Sequence, residues 1–487
     1  MDMKRILFIL SFSFLLGSLY AQNNTFRDLY ENFRREAFSE YSSFRNECNK
    51  NYAEFLLKSW EWFESLPEIS KPVEEEVPPI IYEAEPTPIK DNEVIHDEVI
   101  VHQEIEKPQP QPVEPIKETP ALTPSAFSFN YYNTTLNIRA EQKHRFTLPS
   151  IKEKDLSKAW GQLSGSEYDN IVVDCIKLRE EYNLCDWAYL MMIKAFSHAF
   201  IGNGNESTLL TAYIYSQSGY KMRLGISQDK IFMLFASKHE IYDMPYYTID
   251  GSHYYPLEGE PKGLKIANFS FPKEETLSLA INKLPKLAVN QSTSRNLVSR
   301  DYPLSANCSV NKNLLEFFAE YPSSQIDDNP MTRWAIYAQT PIDNLSRDQL
   351  YPSLKAAIKD KSQVEAVSIL LNFVQTAFQY EYDDKVWGHD RAFFAEETLN
   401  YPYCDCEDRS ILFSHLVREL VGLDVLLLYY PNHLCTAVKF TEQVTGDYLT
   451  VSSGKYYICD PTYIGAPIGK SMPENRNKKP MAILLER

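Results

Sequence analysis

One stretch decides how this chain can be divided. Residues 67–124 hold 12 of the 29 prolines and no glycine. Proline fixes φ and lacks a backbone donor, so a run this dense cannot be a helix interior or a central strand. Its 14 acidic and 4 basic residues contribute −10 of the formal charge of −17. That composition predicts an extended, self-repelling spacer, disordered and partly polyproline. Its reach is on the order of 100–180 Å at up to about 3.1 Å per residue. Folded units must therefore lie before and after it.

The N-terminus reads as an export signal over residues 1–21. Lys4 and Arg5 precede the apolar run Ile6 to Leu16, and Leu19-Tyr20-Ala21 offers cleavage before Gln22. No later run reaches 18 apolar residues, so no transmembrane segment is expected in the mature chain. A periplasmic, cell-surface or secreted protein is expected. Residues 24–65 contain neither Pro nor Gly and read as one helix of about 60 Å. Tyr30, Tyr41 and Tyr52 recur every 11 residues, as do Phe33, Phe44 and Phe55, with Ala37 and Cys48 extending the stripe. Eleven residues are close to three helical turns, so the aromatics share one side. Such a stripe needs a partner: a bundle formed by self-association, another domain, or a cell-envelope component.

Hydrophobic residues make up 44% of the chain, enough for a large core. The acidic balance argues against a nucleic-acid partner, which requires a basic footprint. With 16 glycines in 487 residues, no glycine-rich phosphate loop is found. Residues 125–290 mix helix and strand. Helices are expected at Asp186–Phe200 and Ser207–Ser218, then strands at Tyr220–Gly225, Lys230–Phe235, Tyr246–Asp250 and His253–Pro256. Residues 291–350 form a connecting region with a helix near Lys312–Tyr321. Val364, Val367, Leu370, Leu371, Val374 and Phe378 give Ser362–Gln379 a helical apolar face.

The chemistry concentrates in 396–464. Cys404-Asp405-Cys406-Glu407-Asp408 opens a helix whose face is Leu412, Leu416 and Leu420, stopped by Gly422. A helix N-terminus favours a thiolate and supplies N–H groups to an oxyanion. His433 opens an alternating strand that continues through Cys435 and Val438. Asp460-Pro461-Thr462 closes a later strand. Cys406, His433 and Asp460 are thus spaced by 27 residues in both steps. Nucleophilic amide chemistry needs this trio: a thiol, a base for its proton and a carboxylate to orient the base. Asp405, Glu407 and Asp408 oppose a thiolate, so a Cys406⁻/His433⁺ pair is the expected reactive state. Alternation puts Cys435 on the His433 face and Cys459 opposite Asp460, which disfavours a Cys435–Cys459 disulfide. Cys404 and Cys406 are too close in sequence for a zinc ligand pair, and no metal or cofactor is expected.

This arrangement resembles the transglutaminase-like superfamily, relatives of papain-type cysteine peptidases. The likeness covers about residues 355–487. It rests on Cys406-Glu407-Asp408 with Ser410 and Leu412, His433 with Ala437 and Val438, and Asp460-Pro461-Thr462. It implies Cys406 as nucleophile rather than its rival Cys404, His433 as base and Asp460 as orienter. It also implies acyl transfer through a thioester on a protein or peptide substrate. Hydrolysis, as in a cysteine protease or amidase, is expected ahead of cross-linking or amide exchange, since no calcium loop or acceptor site is evident. Trp387 and Tyr382 are candidates for a second oxyanion donor. The competing class is a non-catalytic cell-envelope scaffold.

A fainter echo lies upstream. Asn203-Gly204-Asn205, helix, Gly219, strand follows the order of Cys406-Glu407-Asp408, helix, Gly422, strand, with Asn203 in the place of Cys406. The expected architecture is α+β and multidomain. It comprises a signal (1–21), a helical region (22–66), the spacer (67–124), an α+β domain that is a candidate degenerate repeat (125–290), the connector (291–350) and a transglutaminase-like core (351–487).

Overall fold

The computed structural model describes residues 44–72, 78–85, 89–101, 126–326 and 328–485. The export signal and the first half of the expected N-terminal helix lie outside the described residues. The fold is mixed α+β, built around two antiparallel-centred sheets.

Helix α1 covers residues 44–56 and is followed by strand β1 (Glu61–Phe63). The helix expected to run to residue 65 therefore ends nine residues early. Aromatic residues favour a strand there, and Glu61–Phe63 pairs with the edge strand at Leu264–Ile266. Among the described residues of the aromatic stripe, Phe44 is exposed and the later members pack inward. Cys48, Tyr52 and Leu56 are buried in the middle core. Tyr52 packs edge-on against Trp160 (4.4 Å) and Phe269 (5.2 Å). Arg45 pairs with Asp169 and donates to the Tyr213 hydroxyl (2.8 Å), and Trp160 Nε1 donates to Asn49 (3.1 Å).

The spacer reading needs correction where the chain is described. Residues 92–93 form β2 and Asp97–Val101 form β3. Each adds in parallel to one outer edge of the C-terminal sheet. Ile81 bridges Ile464, Tyr82 packs edge-on against Tyr463 (5.6 Å), and Glu85 pairs with Lys470 (2.7 Å) and with Arg476. The reason is local. Glu93 to Val101 contains Val94, Ile95, Val99, Ile100 and Val101, a β-branched run that the proline count obscured.

The middle unit runs from α2 (Asn205–Gln217) through β4 (Met222–Ser227), β5 (Lys230–Ser237), β6 (Tyr247–Ile249), β7 (Ser252–Pro256) and β8 (Leu264–Ala267). The C-terminal unit has α3 (Gln363–Ala377), α4 (Cys406–Leu420), β9 (Val425–Tyr430), β10 (His433–Val438), β11 (Asp447–Val451), β12 (Gly454–Cys459) and β13 (Met481–Leu485). Its central helix is α4. After their central helices, both units arrange five strands in one order. The middle sheet runs β8-β4-β5-β7-β6 and the C-terminal sheet β13-β9-β10-β12-β11, and every pairing among them is antiparallel. Both first hairpins turn in two residues, Ser227 facing Lys230 and Tyr430 facing His433. Gly219 (φ 92°) and Gly422 (φ 72°) end the two helices in the left-handed region where glycine is favoured.

The structure changes one residue of the expected correspondence. Helix α2 starts at Asn205, capped by Gly204, so Asn205 and not Asn203 holds the first helical position. Its side-chain oxygen accepts from Ile231 N–H at 2.9 Å. Ile231 is the second residue of β5, as Leu434 is of β10, and Leu434 is the backbone partner of Cys406.

Candidate active site

Cys406 is the first residue of α4, with Asp405 as N-cap. The Asp405 carboxylate accepts from Asp408 N–H, and the Asp408 carboxylate accepts in return from Asp405 N–H (3.2 Å). This reciprocal cap fixes the point where the chain enters the helix. Phe393 N–H donates to the other Asp408 oxygen (2.8 Å). Ser410 donates to the Leu434 carbonyl (2.9 Å), tying the helix to the strand that carries His433. Cys404 faces elsewhere. Its thiol donates to the Gln379 carbonyl (3.8 Å), and burial pushes its pKa up to about 11.

His433 Nε2 lies 2.9 Å from Asp460 Oδ2, and both side chains are buried. Asp460 is well braced. Its other oxygen accepts from Thr462 N–H (2.9 Å) and Tyr463 N–H (3.2 Å). The carboxylate can only accept, so Nε2 carries the imidazole proton and Nδ1 is left as acceptor. Nδ1 is buried and has no hydrogen-bond partner. An orphaned buried acceptor costs about 1–3 kcal/mol, which a structural histidine would not need to bear.

Two further residues hold this loop and were not legible as site residues. Gln375 of α3 donates to the carbonyls of Asp460 (3.0 Å) and Tyr463 (2.8 Å) and accepts from Gly465 N–H (3.1 Å). Arg409 of α4 donates to the carbonyls of Phe378 (2.9 Å) and Gln375 (3.2 Å). A lone glutamine in an apolar helix gives no motif. The only available signal was its polar type on the buried face of α3.

The thiol departs from expectation. Cys406 Sγ donates to the Glu407 carboxylate at 3.1 Å, and not to His433. Burial, then Glu407 and Asp405, hold its pKa well above the ordinary thiol range, while the Leu434 backbone bond pulls the other way. These influences favour the neutral thiol over the expected thiolate–imidazolium pair. Asp405 and Asp408 are also pushed well above the carboxylate range by burial and by neighbouring acids. Cys406 is 6% exposed and shares an apolar cluster with Trp334, Ala335, Ala338 and Val101. The site in this state is closed.

The rings of Trp387 and Tyr382, the expected oxyanion candidates, pack among aromatic and cationic neighbours. Trp387 packs edge-on against Tyr401 (4.8 Å) and Phe393 (5.7 Å) beneath the Arg391 guanidinium. Tyr382 packs near Tyr380 (5.9 Å) under Lys385. Cys435 and Cys459 fall in different apolar clusters, on opposite faces of the sheet. Among the described residues no helix is long and apolar enough to cross a membrane. In comparisons with known proteins, no family model, no curated protein and no solved structure matches the chain.

Two outcomes follow from these charges. Glu407→Gln removes an acid that holds the Cys406 thiol protonated. Its pKa should fall, and alkylation of Cys406 at neutral pH should rise about threefold per unit of the fall, after allowing for lost nucleophilicity. An unchanged rate would mean that Glu407 does not control the thiol. The second outcome concerns Glu396, on the helix Ala395–Asn400, where burial raises the carboxyl from 4.5 to about 8. The folded state then holds this proton more tightly than the unfolded chain. Its contribution to stability is present below about pH 4.5 and is lost as pH rises towards 8. Glu396→Gln should flatten that part of the stability profile, gaining on the order of a few kcal/mol relative to wild type at pH 8. Urea titrations at several pH values measure it. Parallel profiles for the two proteins would contradict it.

Proposed function

We propose that this chain is a cysteine-dependent enzyme of the transglutaminase-like type that acts on amide bonds of peptides or envelope polymers. The observation that carries the reading is the His433–Asp460 pair, 2.9 Å apart, with a buried Nδ1 left without a partner. The nucleophile is Cys406 at the start of α4, joined to the His433 strand through Leu434.

In the proposed reaction, His433 Nδ1 takes the Cys406 proton and sulfur attacks the amide carbonyl. N–H groups at the first turn of α4 would hold the developing oxyanion. The carbon–nitrogen bond breaks as the imidazolium returns the proton to the leaving amine. Water then opens the thioester, His433 again acting as base. Substrate must reach a buried thiol and displace its Glu407 contact, so thiol activation is coupled to binding. The middle unit, with Asn205 where the thiol would be, cannot form a thioester and serves to bind or position substrate.

The test is product mass. Peptides with glutamine side chains, terminal amides and internal peptide bonds are incubated with the mature chain, with and without a primary amine. Addition of water supports hydrolysis, and joining with loss of ammonia supports transfer. Equal turnover by the Cys406→Ala protein would rule out Cys406 as the nucleophile, and no turnover of any peptide by the wild type would favour a non-catalytic scaffold.

A further inference from the structure

Catalysis as proposed leaves Cys435 without a task. Cys435 follows His433 by two positions in β10, so the two side chains share a face. The register pairs Thr436 with Cys459, which sets Cys435 across from Asp460. One donor atom from each of His433, Cys435 and Asp460 lies within 4.8 Å of the others, and all three residues are buried. A second observation points to the same place. The Tyr430 hydroxyl is buried without a hydrogen-bond partner, and its electrostatic neighbours include Cys435 and Asp460.

We propose that His433, Cys435 and Asp460 bind one Zn²⁺ ion, and that the bound metal switches the catalytic pair off. Imidazole nitrogen, thiolate and carboxylate form a donor set suited to zinc. Zinc bonds of about 2.0–2.3 Å require the three side chains to close in slightly, within two hydrogen-bonded strands. A water completes the tetrahedron and gives the Tyr430 hydroxyl its missing partner. The charges balance: Zn²⁺ with one thiolate and one carboxylate is neutral, as an apolar surrounding demands. Binding releases the Cys435 proton to solvent. It also takes Nε2 away from Asp460, and the ring proton moves to Nδ1. Nδ1 then donates instead of accepting and cannot take the Cys406 proton. The inhibition rests on the catalytic reading of His433, whereas the binding does not.

The experiment uses the mature full-length chain and Zn²⁺ alone, titrated against a chromogenic chelator, with Co²⁺ as a spectroscopic probe. Expected are one ion per chain, one proton released and a single thiolate-to-cobalt band. X-ray absorption of the zinc form should show one sulfur in the first shell. Cys435→Ser should weaken binding by about tenfold or more, whereas Cys406→Ala should leave it intact. Turnover by the wild type should fall with zinc occupancy and return with chelator. Absence of a stoichiometric site, or a shell without sulfur, would overturn the proposal. So would loss of binding in Cys406→Ala, since the metal would then sit on the nucleophile. If the Cys435 variant does not fold, the sulfur count together with the Cys406→Ala titration decides. Zinc binding without any effect on a measured turnover would overturn the switch and leave the site.

Discussion

Asp460→Asn is expected to be nearly as damaging as His433→Ala, each lowering kcat/KM on the order of 10³–10⁴-fold. The asparagine result is the more telling, because an amide is almost isosteric with the carboxylate. Asp460 Oδ1 accepts two backbone N–H groups, from Thr462 and Tyr463, while Oδ2 faces His433 Nε2. An asparagine must keep its oxygen on the two backbone donors. Its NH₂ is then turned towards Nε2, which must lose its proton to accept. The proton moves to Nδ1, and the acceptor nitrogen that the proposed mechanism needs for the Cys406 proton is gone. The thermal stability of the two variants, read beside their rates, separates this chemistry from simple unfolding. Full activity in Asp460→Asn would mean that the carboxylate does not set the tautomer.

Arg45→Ala should remove about 3–5 kcal/mol of stability, the cost of leaving a buried partner charge uncompensated. Arg45 is 6% exposed and Asp169 7%. Burial raises the Asp169 carboxyl, and Arg45 offsets part of that rise. The same arginine donates to Tyr213 and Gln217 on α2. The loss would show in urea unfolding of the mature chain. The double change Arg45→Met with Asp169→Leu should recover most of it, because an apolar pair of similar bulk needs no compensation. A cost under about 1 kcal/mol would place α1 on the surface, as a surface ion pair has that value. The N-terminal helix would then be free for another partner.

Regular elements with strong periodicity were legible in the sequence. Helices at Asp186–Ile201, Gln363–Ala377 and Cys406–Leu420 and strands at Val425–Tyr430 and His433–Val438 fall within a few residues of their expected places. Gly422 as stop and Asp405 as cap carry the local information for α4. What failed was inference from composition and from a single period. The proline count made 67–124 look like one object, yet residues 92–93 and Asp97–Val101 supply both edge strands of the C-terminal sheet. The absence of Pro and Gly carried the expected helix on to residue 65, but pairing between Glu61–Phe63 and Leu264–Ile266 overrides it. The middle correspondence was read from the glycine backwards, which picks Asn203. The helix begins two residues later, so Asn205 makes the contact with β5.

At the site, the sequence placed three residues in order but not their protonation. The expected thiolate pair assumed that His433 was the nearest influence on Cys406. Burial and the adjacent Glu407 decide otherwise, and neither depth nor side-chain direction is written in the spacing. Gln375 and Arg409 were missed for a related reason. Their contacts are to backbone groups, which carry no side-chain signature.

The most direct test of the account is acylation of Cys406 itself. The mature chain is mixed with an activated peptide ester, quenched in acid at short times and digested, and the mass of every cysteine-containing peptide is followed. The account predicts a thioester on Cys406, labile to hydroxylamine. It should form faster than any adduct on Cys185, which is half-buried and more exposed than Cys406. His433→Ala should slow it by about 10²-fold or more. Acylation of Cys406 no faster than of Cys185, at the same rate in both proteins, would contradict the account and leave a buried cysteine with no catalytic task.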